Sequence, residues 1–359
     1  MRRTFLIVAL LFVYALAKQD QEKQRLRNPL MDKLYRMKKT NPEKFDKFKN
    51  FYTNELNEEE MIKHRYEIIA KKVNKFKTTW EATTYERDYT PLLGTIPEEG
   101  ASLPKMTTTL SQNFKLPDNF DLRQKYPRCQ SLKEVRDQAN CGSCWAFAAV
   151  EAMSDRICIK SGQTLQTRVS AQNLLSCCSN CGNGCKGGYA NSAWLYWKET
   201  GISTGGLYGD KTHCQPYFLR ACGLSCPAYK SATPSCKRNC DDGNRKAYST
   251  QMTYGANAYY VSGETGIMQE LYLNGPVEAN FIVYEDFYTY RSGIYHHVTG
   301  ADVDYHSIKI IGWGIQNGVK YWLCVNSWNT AWGERGFFKI RRGSNECNIE
   351  SMAYAGMPK

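Results

Sequence analysis

Fifteen cysteines, every one of them after residue 128, divide this 359-residue chain into two unlike parts. A body that dense in cysteine folds around disulfides and needs an oxidising compartment. The count is odd, so at least one thiol stays unpaired. The N-terminus agrees with export. Arg2 and Arg3 precede an apolar run, Phe5 to Ala17, that closes on Ala15-Leu16-Ala17. Residues 1–17 read as a signal peptide cut after Ala17, because the run is too short for a membrane anchor and no later run is long enough. No Asn-x-Ser/Thr sequence occurs, so a sugar-dependent sorting route has no handle. The net charge of +12 is spread along the chain rather than gathered in a basic, aromatic-laced tract. That spread excludes a nucleic-acid reader.

Residues 18–115 contain no cysteine and are rich in Lys, Glu, Phe and Tyr. Apolar spacing predicts helices over Lys33–Phe51 and Glu58–Phe76, the second with Asn57 as N-cap and acids in its first turn. After Trp80 the text is loop-like, through Gly94, Gly100 and Pro104. A helical, cysteine-free leader before a cross-linked body reads as a pro-segment, with an ordinary helical domain as the alternative. From Leu116 the character changes. Residues 144–160 read as a helix, 171–186 as a stapled loop, 189–200 as a short aromatic helix and 201–255 as a long irregular stretch. From Tyr259 strand signals dominate, at Val277–Tyr284, Ser307–Trp313, Tyr321–Asn326 and Gly336–Arg341. Helix first and strand later predicts an α+β fold of two packed lobes.

The chemistry is expected at Gln138-Ala-Asn-Cys-Gly-Ser-Cys-Trp-Ala-Phe147. Cys144 stands at the first turn of the predicted helix, where free N–H groups and the helix dipole favour a thiolate. A cysteine nucleophile needs a base, a group that orients the base, and donors for an oxyanion. Five histidines are available: His64, His213, His296, His297 and His306. His306 opens an apolar strand, and twenty residues on Asn326 ends another, so two strand ends can bring a His and an Asn together. Two rival readings of Cys141-x-x-Cys144 remain on residues alone. One is a dithiol redox pair, although Trp145 follows the second cysteine instead of preceding the first. The other is a zinc site shared with Cys178-x-x-Cys181, which leaves Gln138 and the distant His and Asn unexplained.

Gln138, Cys141-Gly142-Ser143-Cys144-Trp145, Cys185-Lys186-Gly187-Gly188-Tyr189, His306 and Asn326-Ser327-Trp328, in that order, resemble the papain-like cysteine proteases. Cys177-Cys178, the insertion from Cys214 to Cys240, Ser327–Thr330 and Gly343–Glu350 resemble cathepsin B more narrowly. The likeness continues into Lys72–Gly94, where Val73-Asn74 and Thr79-Trp80-Glu81-Ala82 look like its pro-segment. The resemblance implies a two-lobed fold, helical on the left and β-barrel-like on the right, behind an N-terminal helical pro-segment. It implies an inhibitory propeptide at 18–115 and a peptidase domain at 116–359, with 214–240 as a shortened occluding-loop region. Residues 18–65 exceed the family's usual pro-segment and receive no part.

By the same resemblance Cys144 is the nucleophilic thiolate and His306 its imidazolium partner. Asn326 orients the His306 ring, Trp328 shields that contact, and the Gln138 amide with the Cys144 N–H forms the oxyanion hole. Gly187, Gly188 and Tyr189 meet an extended substrate, and Ser307, Asn280 and Met352 line its S2 pocket. Six disulfides are implied: Cys129–Cys158, Cys141–Cys185, Cys177–Cys236, Cys178–Cys181, Cys214–Cys240 and Cys222–Cys226. They leave Cys144 with Cys324 and Cys347, the last two as inert thiols. No metal or cofactor is implied. The implied partners are peptide substrates, the chain's own propeptide and cystatin-type inhibitors, acting on a monomer in the lysosome or outside the cell. A catalytically inactive relative with a binding or matrix role is the alternative reading.

Two departures from the family bear on specificity. Cathepsin B holds a substrate's C-terminal carboxylate with two adjacent histidines on its occluding loop. Here Cys222 and Cys226 enclose only Gly-Leu-Ser, and no histidine lies between Cys214 and Cys240. Loss of carboxydipeptidase activity is expected, with His213 structural. Where cathepsin B has a glutamate that accepts arginine at P2, this chain has Met352. Burying a guanidinium against a thioether is costly, so apolar P2 residues are expected. Asp304-Tyr305, in place of two glycines, is expected to narrow the primed side.

Overall fold

The computed structural model describes residues 58–97, 103–106, 114–223, 226, 230–241 and 246–359. The expected signal peptide and the helix expected over 33–51 lie outside these residues. The first helix, α1 (Glu58–Lys75), matches the expected one to within a residue. It is followed by the short strand β1 (Trp80–Ala82) and then by irregular chain. Beyond residue 114 come β2 (Phe120–Asp121), α2 (Leu122–Lys125), α3 (Cys144–Lys160), α4 (Ala171–Cys177), α5 (Ala190–Glu199) and β3 (Ile202–Ser203). The remainder is β4 (Met252–Thr253), β5 (Tyr259–Val261), α6 (Gly263–Leu273), β6 (Val277–Tyr284), β7 (Tyr290–Tyr295), β8 (Asp302–Gln316), β9 (Val319–Val325), β10 (Phe337–Arg341) and β11 (Ala353–Ala355).

Helix α3 has no Gly or Pro, and every residue from Cys144 to Cys158 is buried. A helix enclosed on all sides belongs to the core. Together with α4 and α5 it builds one apolar cluster, containing Trp145, Phe147, Met153, Trp194 and Trp197. A second cluster lies on the sheet, around Phe281, Ile310, Trp313, Trp322 and Trp332. These are the two expected lobes. The sheet runs β1-β7-β10-β9-β8-β6-β11-β5, with β2 beside β8. It is antiparallel except where β10 meets β7. Its strand order is an open path among the described residues, so the barrel-like lobe is not a closed barrel.

Three expectations are adjusted by the structure. His306 does not open its strand: β8 begins at Asp302, so His306 lies within it, opposite Phe281. The polar start Asp302-Val-Asp-Tyr hid that extension. The region after Tyr259 also holds α6, which is amphipathic and begins behind Ser262. The stretch 171–186 carries the helix α4 and two short 3-10 turns within its disulfides.

The N-terminal segment is part of the same core. Tyr66, Ile69, Ala70 and Val73 of α1, with Trp80, Tyr89, Leu92 and Leu93, are buried in the sheet's cluster. Strand β1 adds to the sheet edge against β7. The Asn74 amide donates to the Ala82 carbonyl and accepts from the Ala82 N–H, both at 2.9 Å, which locks the helix to the strand. Trp80 Nε1 donates to the His296 carbonyl at 3.0 Å.

Candidate active site

Cys144 is the first residue of α3 and is fully buried. Its neighbour Cys141 is bonded to Cys185, so the two cysteines of the motif are divided. The other bridges are Cys129–Cys158, Cys177–Cys236, Cys178–Cys181, Cys214–Cys240 and Cys222–Cys226. Cys144, Cys324 and Cys347 are free. The dithiol and zinc readings both lose their ligands to these bridges, and no cluster of three metal-binding side chains gathers among the described residues.

On the facing lobe, His306 Nε2 lies 2.8 Å from Asn326 Oδ1. Asn326 stands immediately beyond the end of β9. Trp328 packs over the histidine ring, with centroids 4.8 Å apart, and is itself buried. The other ring nitrogen of His306, Nδ1, is buried without a hydrogen-bond partner. The Gln138 side chain is held from both ends. Its oxygen accepts from Ser327 Oγ at 2.7 Å, and its amide donates to the carbonyls of Cys141 at 2.7 Å and Leu92 at 2.8 Å. Ser327 receives no role from the sequence, although it sits inside the Asn-Ser-Trp motif.

The N-terminal segment passes directly over these groups. Thr95 Oγ1 lies 3.2 Å from the Cys144 sulfur and 2.6 Å from Ser307 Oγ. Gly188 N–H donates to the Gly94 carbonyl at 2.8 Å, and Ile96 N–H donates to the Gly188 carbonyl at 2.9 Å. On the other side Thr95 N–H donates to the Tyr305 carbonyl at 3.4 Å. Thr95 therefore forms bridges to both lobes, parallel to Gly188 and antiparallel to Tyr305. Gly187 has φ +120, and an added Cβ there would lie 3.0 Å from the Gly94 carbonyl oxygen. Bare backbone is needed at this edge for an extended chain to approach.

Of the remaining expected residues, Ser307 donates to Asn280 Oδ1 at 2.7 Å, so the two form one polar wall. Met352 packs against the helical lobe's cluster, and its sulfur accepts from Tyr354 Oη at 2.8 Å. Tyr189 precedes α5 as its N-cap residue. The other histidines are engaged elsewhere. His213 Nδ1 sits 2.6 Å from Asp210, and His64 lies 3.5 Å from Glu67. His296 Nδ1 faces Thr79 at 3.1 Å, and His297 stacks on Tyr284 at 3.8 Å.

Covered in this way, the thiol and the imidazole are both pushed toward their neutral forms. Burial raises the Cys144 thiol, against the hydrogen bond from Thr95 and those of nearby backbone. Burial also lowers His306 to about 4, with Asn326 and Asp304 opposing. A thiolate and an imidazolium both need solvation or each other, and a dry lid favours the neutral forms. The cover thus opposes the expected thiolate at the helix start.

The papain family cysteine protease model matches residues 116–357. The chain is 51% identical over 249 residues to cathepsin B-like cysteine proteinase 3 of Caenorhabditis elegans, covering 68% of this chain and 66% of that protein. It is 48% identical over 255 residues to the cathepsin B-like cysteine proteinase of Schistosoma japonicum, covering 69% and 75%. The solved procathepsin B S9 of Trypanosoma congolense is 36% identical, superposes with a TM-score of 0.72 and covers 83% of this chain and 98% of its own.

Proposed function

This chain belongs to the papain family of cysteine proteases and is cathepsin B-like, and we propose that it is an endopeptidase held as a zymogen by its N-terminal segment. One observation carries this reading: the segment lies across the cleft with a carbonyl on the Gln138 amide and a hydroxyl on the Cys144 sulfur. Once the segment is gone, the His306 imidazole gains water and the sulfur gains a free face. Cys144 then attacks the substrate carbonyl as a thiolate, and His306 returns a proton to the leaving amine. Asn326 fixes the ring, as an aspartate does in serine enzymes. The Gln138 amide, vacated by Leu92, donates to the oxyanion together with the Cys144 N–H. Removing one such donor typically costs about 10²–10³ in rate.

The residues before about 116 act as signal peptide and inhibitory propeptide. Six disulfides support folding in the secretory pathway, for delivery to the lysosome or outside the cell. Once uncovered, the cleft is expected to take cystatin-type inhibitors, and the enzyme works as a monomer.

Between Cys214 and Cys240 no imidazole is present to hold a terminal carboxylate. The mature enzyme should cut amidated and free-acid peptides at internal bonds alike, and should turn over Phe-Arg fluorogenic peptides faster than Arg-Arg ones. Rapid, sequential loss of dipeptides from free C-termini would refute the endopeptidase reading. Absence of all hydrolysis, with no epoxide adduct on Cys144, would instead favour an inactive binding protein.

A further inference from the structure

The segment over the cleft also carries a charge into it. Arg87 is only 5% exposed. Its Nη2 donates to the Ala139 carbonyl at 2.9 Å, and its Nη1 donates to the Gly223 carbonyl at 3.0 Å. Asp137 Oδ1 lies 3.9 Å from Nη1. The guanidinium thus fills a cradle of two carbonyls and one carboxylate, with the Cys222 sulfur at 3.9 Å. Asp137 is 8% exposed and well fixed. Its oxygens accept from Ala139 N–H at 2.8 Å, from Cys222 and Gly223 N–H at 3.2 Å each, and from Asn329 Nδ2 at 3.3 Å.

This cradle adjoins the reacting groups. Asp137 precedes Gln138 in the chain and forms a bridge with Trp328. Tyr89, two residues after Arg87, stacks on Trp328 with centroids 4.8 Å apart. The cradle therefore lies beside the tryptophan that covers His306. It is built from the base of the shortened Cys222–Cys226 loop. Every group that it turns toward Arg87 is an acceptor or a negative charge. Such a surface repels a carboxylate and matches the planar fork of an arginine.

We propose that, once Arg87 leaves with the segment, this cradle becomes a primed-side subsite that selects substrates with an arginine. The inference rests on the peptidase reading and names a preference within it. The short loop does more than fail to bind a C-terminus: its Gly223 carbonyl, with Asp137, reverses the charge that this end of the cleft accepts. Mature enzyme reads peptides by a basic side chain beyond the scissile bond. Arg87 is the intramolecular stand-in, carried by a chain whose bridge to Gly188 is parallel.

The test uses mature enzyme produced by processing the folded full chain. Internally quenched, C-terminally amidated peptides carry Arg, norleucine or Glu singly at P1′, P2′ or P3′, with alanine at the other two. At one position Arg should exceed norleucine about ten-fold in kcat/KM and Glu should fall below it, the scale of a buried charged contact. Asp137→Asn should bring the Arg/norleucine ratio at that position to below about two. Arg and norleucine equal at all three positions, or an unchanged ratio in Asp137→Asn, overturns the proposal. A binding measurement stands apart from activity and from that variant. By calorimetry on mature enzyme, a synthetic peptide of residues 85–97 should bind at least about ten-fold more tightly than the same peptide with norleucine at 87. Equal affinities also overturn it. Failure to cleave the alanine reference peptide would count against the peptidase reading, while the calorimetric comparison would still decide the subsite.

Discussion

Gly94 is the residue on which closure is most finely balanced. A Cβ built there would fall 2.0 Å from the Gly142 carbonyl oxygen, which is backbone and cannot swing away. Gly94→Ala should therefore lift the segment from the cleft, with self-processing at least about ten-fold faster than in the parent zymogen. An unchanged processing rate would mean that this contact does not hold the lid. His306 offers a second reading of the closed state. In a Cys144→Ala zymogen the ring titrates alone, at about 4 while covered. It should return toward its ordinary value near 6.5 when the segment is removed. A covered pKa below the open one means that closure is fully stabilised above about 6.5 and weakens as pH falls toward about 4, by about 3 kcal/mol in all. Histidine NMR titration of the two forms checks it. In the parent chain the effect largely cancels, because a neutral pair and a thiolate–imidazolium pair bind the same number of protons. Such detail was only partly legible in the sequence. The residue types at 138, 144, 306 and 326 declared the chemistry, because each is demanded by it. Thr95, Arg87 and Asp137 carried no signal, because their roles exist only where the chain folds back on itself.

At the scale of elements, the N-terminal segment docks by a helix and one edge strand rather than by the cleft residues alone. Trp80 is buried against Tyr295 and Tyr290, at 5.1 and 6.0 Å between centroids. Arg65 pairs with Glu285, and Lys72 Nζ donates to Thr299 Oγ1 at 2.5 Å. Trp80→Ala should cost about 3–5 kcal/mol of docking, the scale for a large buried aromatic. Hydrogen exchange would then show lost protection across 58–97 with little change in α3, whereas uniform loss would mean that the segment is integral to the fold. The sequence disclosed α1 and α3 almost to the residue, because both are uninterrupted helical text. It disclosed β6 fully, because Val277, Phe281, Ile282, Val283 and Tyr284 are strand formers. It disclosed only the apolar centre of β8 and missed α6 and β7, whose compositions mix Gly, Tyr and polar residues. Pairing with neighbours, not local preference, decides such segments.

Across the whole molecule, Cys144 and His306 ride on elements from opposite lobes, and a buried ion cluster ties those elements together. Lys309, three residues after His306 on β8, reaches Asp155 of α3 at 2.7 Å and Glu151 at 3.7 Å. Arg156, next on the helix, donates to Glu270 of α6 at 2.7 Å. One lysine does not satisfy two buried acids. Glu151 Oε1 and Asp155 Oδ1 both lack hydrogen-bond partners. Burial lifts Glu151 to about 7 despite Lys309 and Arg136, and it raises Asp155 as well. The attraction of Lys309 thus loses to desolvation at Glu151, as it can for ions taken out of water. A carboxyl whose folded pKa lies above its unfolded value near 4.5 binds its proton more tightly when folded. Its contribution to stability is therefore fully present below about 4.5 and declines as pH rises to about 7, by about 3 kcal/mol at most. This group thereby biases the fold toward acid. Glu151→Gln keeps the shape and removes the titration. Urea unfolding of the mature enzyme between pH 4.5 and 7.5 should show parent stability falling with pH over that window and a flatter profile in the variant. Parallel profiles would mean that Glu151 stays ionised beside Lys309 and that the bias arises elsewhere.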